Sequence, residues 1–302
     1  MRHRSLLLIC LMLAIGLAAN GQDKAPETLL PYLHGLRAKT ALLLNIQGYE
    51  IIAEEKAGSL AKPWFSKMFP GFGLRKGYTS YRDSSLGMAA YRAEQQEEKT
   101  GPLSHFVTEY YFIEKSPSRV IGLSITGYKG AELSFKRALA HLILEDKVPD
   151  SLLSQVMPPS VRFVDRILEV DSRCQWRNAA ALQCHGFGEM NWSMHPNMQE
   201  AEEETRNQKA QNADFRKLEI EKEEAVQILF EGQEVTAVKQ QLRAKGVTGI
   251  RTQMEGSRTL IAYYVSAAVR GRYVSCVLSH WTSDYLENGL PPLLNTVMSL
   301  KQ

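Results

Sequence analysis

The sequence predicts an α+β fold in two parts, each made of antiparallel hairpins with a packed C-terminal helix and joined by a charged helical segment. Three observations predict it. β-prone runs come in adjacent pairs at 105–128 and 258–281, each pair joined by a short polar turn. Each pair is followed by a stretch with apolar residues at helical spacing, 131–146 and 290–301. Between them, 199–224 is charged nearly all round, as a solvated connecting helix would be. The expected boundaries are a leader at 1–21, an N-terminal part at 22–155 and a C-terminal part at 156–302.

Arg2, His3 and Arg4 precede the apolar run "LLLICLMLAIGLAA", after which the chain turns polar, the pattern of a cleaved secretory signal peptide. The run is shorter than the roughly 20 apolar residues that span a bilayer. Small residues place the cut after Gly21 or Ala19, and the expected location is the periplasm or the cell exterior. The 36 Lys and Arg residues lose Arg2 and Arg4 with the leader, leaving 34 against 33 acidic residues. That balance lacks the concentrated basic face of a nucleic-acid binder.

From Pro26 to Leu44 the leucines at 29, 33 and 36 have helical spacing and predict a helix. "GYEIIAEEKAG" predicts a strand ending near Gly58. Residues 62–78 mix Pro, Gly, aromatic and basic residues and predict an irregular loop. In the hairpin 105–128, Val107, Tyr111 and Ile113 share a face with Ile121, Leu123 and Ile125. "GQEVTAVKQQLRAKG" predicts a short amphipathic helix, with Val235, Val238 and Leu242 on one side and Gly246 as its cap. Arg270-Gly271 has the composition of a two-residue hairpin turn.

The densest chemistry lies in "CQWRNAAALQCHGFGEMNWSMH" at 174–195. Even positions Leu182, Cys184, Met190, Trp192 and Met194 are apolar, while odd positions Gln183, His185, Glu189, Asn191, Ser193 and His195 are polar. Period two assigns them to opposite faces of a strand. A turn at Asn178–Ala180 pairs residues whose numbers sum to 358, setting Cys174 opposite Cys184, Trp176 opposite Leu182 and Leu168 opposite Met190. Directly opposed residues lie within disulfide reach, so a Cys174–Cys184 bridge is expected, with Cys276 as the leftover thiol. Its apolar strand neighbours mark Cys276 as a buried small hydrophobe.

A metal site is not expected. His185 and His195 would be about 33 Å apart on one strand, and C-x2-C and H-E-x-x-H spacings do not occur. "GLSITG" fails as a nucleophile elbow because Thr126 stands where glycine is required. Two surfaces are left as binding candidates. One is the aromatic loop with Trp64, Phe65, Phe69 and Phe72; the other is the polar strand face with His185, Glu189 and Asn191. The function expected is that of an exported, non-catalytic binding or interaction protein without a cofactor, whose partner is a protein or a component of the cell envelope. The alternative is a hydrolase assembled from His105, Glu109, His141, His185 and Glu189.

Overall fold

The computed structural model describes residues 24–61, 64–95, 106–215, 218–244 and 259–301. The leader and His105 lie outside the described residues. The predicted α+β class is corrected to a mostly β architecture, with 51% of residues in strands and 19% helical, arranged as two eight-stranded sheets.

In chain order the strands of the first sheet are β1 (Leu33–Arg37), β2 (Ala41–Ile46), β3 (Tyr49–Ala57), β4 (Thr79–Asp83), β5 (Ala90–Glu94), β6 (Val107–Ser116), β7 (Arg119–Gly127) and β8 (Leu153–Ser154). They lie in the order β4-β5-β6-β7-β3-β2-β1-β8, antiparallel except for β1 with β8. A two-stranded ribbon of β9 (Ser160–Phe163) and β10 (Arg166–Glu169) follows. The second sheet comprises β11 (Cys174–Trp176), β12 (Ala181–Cys184), β13 (Gly188–His195), β14 (Leu218–Phe230), β15 (Gln233–Ala244), β16 (Thr259–Val269), β17 (Arg272–Trp281) and β18 (Met298–Leu300). Their order is β11-β12-β13-β17-β16-β15-β14-β18, antiparallel throughout. The α-helices are α1 (Phe65–Met68), α2 (Leu133–Leu144), α3 (Met198–Phe215) and α4 (Pro292–Asn295).

The helix expected over 26–44 is a 3-10 turn at Pro26–Tyr32 followed by two strands. Leu33 and Leu36, three residues apart, fall on opposite faces of β1: Leu33 joins the core under α2, and Leu36 the core shared with the second sheet. Where a helix was expected at 232–246 the structure has β15 over Gln233–Ala244, and the expected cap Gly246 lies outside the described residues. Val238 and Leu242, four residues apart, share a face in a strand as well as in a helix, so that spacing fits both periods. What decides is Glu231-Gly232. Both have positive φ, 51° and 78°, the backbone of a two-residue hairpin turn that matches strand twist. Gln47-Gly48 and Arg270-Gly271 turn their hairpins in the same way. Arg270-Gly271 was the one of the three expected from the sequence.

The charged segment also differs from its expected solvated role. Among the described residues, Met198–Phe215 is helical and Leu218–Phe230 is strand β14. The helix packs on the face of the second sheet that carries Ser193, His195, Ser266 and Ser275. Because that face is polar, the contact is made by hydrogen bonds and small residues. Ala201 is fully buried, Ser266 Oγ donates to Thr205 Oγ1 at 2.8 Å, and Thr205 Oγ1 donates to the Ala201 carbonyl at 2.9 Å. The terminal helix expected at 290–301 shrinks to α4, and β18 takes the rest, pairing with β14 only at Ile228–Phe230. Among the described residues no strand pairs with the outer side of β14 at 218–227, a stretch rich in Glu and Lys.

Cys174 pairs with Cys184 and Trp176 with Leu182, as the parity argument required, and the disulfide is formed. Asn178 closes that turn by accepting hydrogen bonds at Oδ1 from the Ala180 and Ala181 N–H groups at 2.9 and 2.8 Å. Leu168 is not opposite Met190; it pairs with Val161 in the ribbon. The run 182–195 is not one strand. It reverses at 185–187, with positive φ at Gly186 in the turn and at Gly188 where β13 begins, so β12 and β13 lie side by side. Cys184 opposite Gly188 keeps even residues on one face of both strands, which is why the alternation survives the turn.

Candidate functional site

The two sheets meet along a buried seam. The His34 ring of β1 stacks on Trp192 of β13 at 5.0 Å, and Trp192 lies 5.1 Å from Trp176. Leu36 joins the same cluster. Asn178 Nδ2 donates to Glu50 Oε1 at 3.0 Å, and Tyr128 OH donates to Gln211 Oε1 at 2.7 Å, so hydrogen bonds also cross the seam.

Where the seam opens to solvent, a cavity of about 340 Å³ is walled by both sheets. The first sheet contributes the Gln47-Gly48 turn, Tyr49 and the loop from Gly127 to Gly130; the second contributes His195 and the first turns of α3. Gly48 allows the close approach: with φ at +84°, a Cβ there would sit 3.1 Å from Glu204 Oε2 and 3.2 Å from His195 Cε1. Lys129 lies 3.6 Å from Glu203 and Lys24 lies 3.7 Å from Glu132, so both lysines of the wall are paired. Glu204 accepts a hydrogen bond from Gln208 Nε2 at 2.8 Å. Burial, with the neighbouring Glu50 and Glu203 charges, pushes the Glu204 carboxyl up to about 8. Burial, with the Lys129 charge, pushes His195 down to about 4. Near neutral pH both groups therefore favour their uncharged forms. His195 Nε2 is 3.0 Å from Ser275 Oγ, a hydroxyl wholly buried beneath the ring.

A second cavity, of about 320 Å³, occupies the other end of the same sheet face. Here the structure brings together His185 and Glu189, two residues predicted as binding candidates, with His280 and Asp284. Asp284 Oδ2 accepts the Trp281 N–H at 3.0 Å, and burial holds its carboxyl above the usual aspartate range. Burial also lowers His280, whose Nδ1 lies 3.0 Å from the Trp281 carbonyl. Asn191, the third polar-face candidate, sits between the two cavities and lines neither. His185 and His195 remain far apart: from Gly188 to His195 the strand runs seven steps, roughly 23 Å.

The aromatic loop turns most of its rings inward. Phe65 and Phe69 are fully buried and Phe72 nearly so, packed on the first sheet, with Phe65 stacked on Phe112 at 3.9 Å. Trp64 alone of the four is exposed, at 61%, with Lys67 Nζ 4.3 Å from its ring centre. Of the residues grouped for a hydrolase, His185 and Glu189 share the second cavity, while Glu109 and His141 lie elsewhere. Glu109 is a structural carboxylate, accepting from Ala131 N at 3.0 Å, Lys136 Nζ at 2.9 Å and Tyr111 OH at 3.3 Å. His141 lies on α2 beside Glu145 at 3.1 Å. Cys276 is buried without a disulfide partner, and burial pushes its thiol up, away from the reactive thiolate. Among the described residues, no group of three His, Cys, Asp or Glu side chains could hold a metal ion.

Sequence reasoning missed the seam cleft because its walls come from 24, 47–49, 127–135 and 195–207, segments far apart in the chain. The available signal was Gln47-Gly48, a turn dipeptide between two apolar runs. No family model, curated protein or solved structure matches the chain.

Proposed function

We propose that this chain is a non-catalytic binding protein working outside the cytoplasm, and that the seam cleft holds a small polar organic ligand. The observation that supports this reading is the cleft itself: a concave site walled by both sheets, mixing Tyr49, Tyr128 and Phe135 with polar side chains, as ligand sites do. Burial raises Glu204 to about 8 and lowers His195 to about 4, so near neutral pH the cleft favours a protonated carboxyl and an uncharged imidazole. Among the described residues, Ser275 lies against His195 as a hydrolytic pair would, but its hydroxyl has no exposure from which to reach a substrate. That favours binding over hydrolysis. The Cys174–Cys184 disulfide suits an oxidising compartment. Among the described residues no helix is long and apolar enough to cross a membrane.

Native mass spectrometry of the tagged chain recovered from cell-envelope extract tests the reading. A bound species of defined mass is expected on the wild type and absent from Asn207→Trp, which fills the cleft. A wild type carrying nothing, or an adduct retained by Asn207→Trp, overturns it.

A further inference from the structure

We propose that the cavity at the far end of β13 is a second binding site, for a neutral polyhydroxylated ligand: a monosaccharide or the end of an oligosaccharide. Sheet register sets its floor. Gln183 of β12 is opposite Glu189 of β13, and Glu189 is opposite Ser279 of β17, so three polar side chains form one row across neighbouring strands. Such strands lie about 4.8 Å apart. Helix α3 covers the His195 end of this face through contacts to Ala201 and Thr205 and leaves the Glu189 end to the cavity.

The lining composition selects the ligand. Among the described residues it contains two carboxylates, Glu189 and Asp284, and no Lys or Arg, so a phosphate or carboxylate ligand finds no cationic side chain there. A compact metal ion is disfavoured by the lack of a three-ligand group among the described residues. An organic cation has less to gain here, because Asp284 Oδ2 is already engaged by the Trp281 N–H at 3.0 Å. Hydroxyl groups suit what is present. Each donates and accepts, and the row offers carboxylate and amide acceptors beside hydroxyl, amide and imidazole donors. Trp281 on the rim supplies the apolar surface that the C–H face of a sugar ring covers. A volume of about 320 Å³ lies within the range of small-ligand sites.

Titration of the full chain with glucose, galactose and N-acetylglucosamine, followed by amide chemical shifts, tests the assignment. Galacturonate serves as the anionic control and glucosamine as the cationic one. At least one neutral sugar is expected to shift the amides of Gly186, Gly188 and Trp281. Its Kd should rise about ten-fold in Gln183→Ala and in Glu189→Gln, the loss of one hydrogen bond, and stay unchanged in Asn207→Trp. The proposal is overturned if no neutral sugar binds, if the shifts map elsewhere, or if glucosamine binds about ten-fold tighter than N-acetylglucosamine. The wild-type shift map needs no variant to fold, and Asn207→Trp keeps this site separate from the seam cleft.

Discussion

His34 is 6% exposed, and among the described residues neither of its ring nitrogens has a hydrogen-bond partner. Asn45 Oδ1, directly across the β1–β2 ladder, is in the same condition, as are the Nε1 groups of Trp176 and Trp192. A buried polar atom left unpaired costs about 1–3 kcal/mol. His34→Phe keeps the stack on Trp192 and removes both nitrogens, so it should raise the unfolding free energy by about 1–2 kcal/mol in urea titration. A loss of stability would show that the imidazole is satisfied. Glu109 is the opposite case. Glu109→Ala strands Lys136 and the Ala131 N–H in a buried setting and should cost about 3–5 kcal/mol. At this scale the sequence was informative where period two applied. It separated the sulfurs of 174 and 184 from the polar face of Glu189, Asn191 and His195. It was silent on Glu204, whose carboxyl is set by neighbours from another sheet.

Among the elements, the short β11–β12 hairpin owes most to one covalent bond. Its bridge closes ten residues, worth about 3 kcal/mol in the chain-entropy model. Reduction should lower the urea midpoint accordingly, while Cys276 stays unreactive to thiol reagent until the chain unfolds. A chain whose midpoint ignores reductant would contradict this. Helix α3 offers a second check. Ala201 has no exposure, so Ala201→Leu should overpack the contact with β16 and β17 and cost about 1–3 kcal/mol by the same titration. Elements were legible where the pattern had one solution: β3, the β6–β7 and β16–β17 hairpins and α2 lie close to where they were expected. They were misread where a spacing served two periods, as with Leu33 and Leu36 or Val238 and Leu242. They were also misread where a charged helix found a polar surface to bury.

Across the whole molecule, pH acts through groups at the junction of the sheets. His34 is pushed down to about 3 and His195 to about 4, so between pH 6.5 and those values the unfolded chain binds more protons and stability falls with acid. Glu204 is raised from 4.5 to about 8, so between those values the folded chain holds the extra proton and stability falls as pH rises. Above 6.5 only the glutamate acts; below it the two histidines outweigh it. The melting temperature should therefore peak near pH 6.5, and Glu204→Gln should flatten the alkaline limb while leaving the acid limb. An unchanged alkaline limb in that variant would remove Glu204 from the account. The architecture itself was hidden because sheet order joins distant segments, such as β3 to β7 and β13 to β17, and nothing local records those pairings. One further consequence belongs to the outer side of β14. Its glutamates are held in ion pairs, Glu223 with Lys209, Glu224 with Lys222 and Lys239, and Glu221 with Arg243, so a second strand docking there would have to break into a charged edge. A charged edge of this kind works against edge-to-edge pairing of two copies, an effect that added salt weakens.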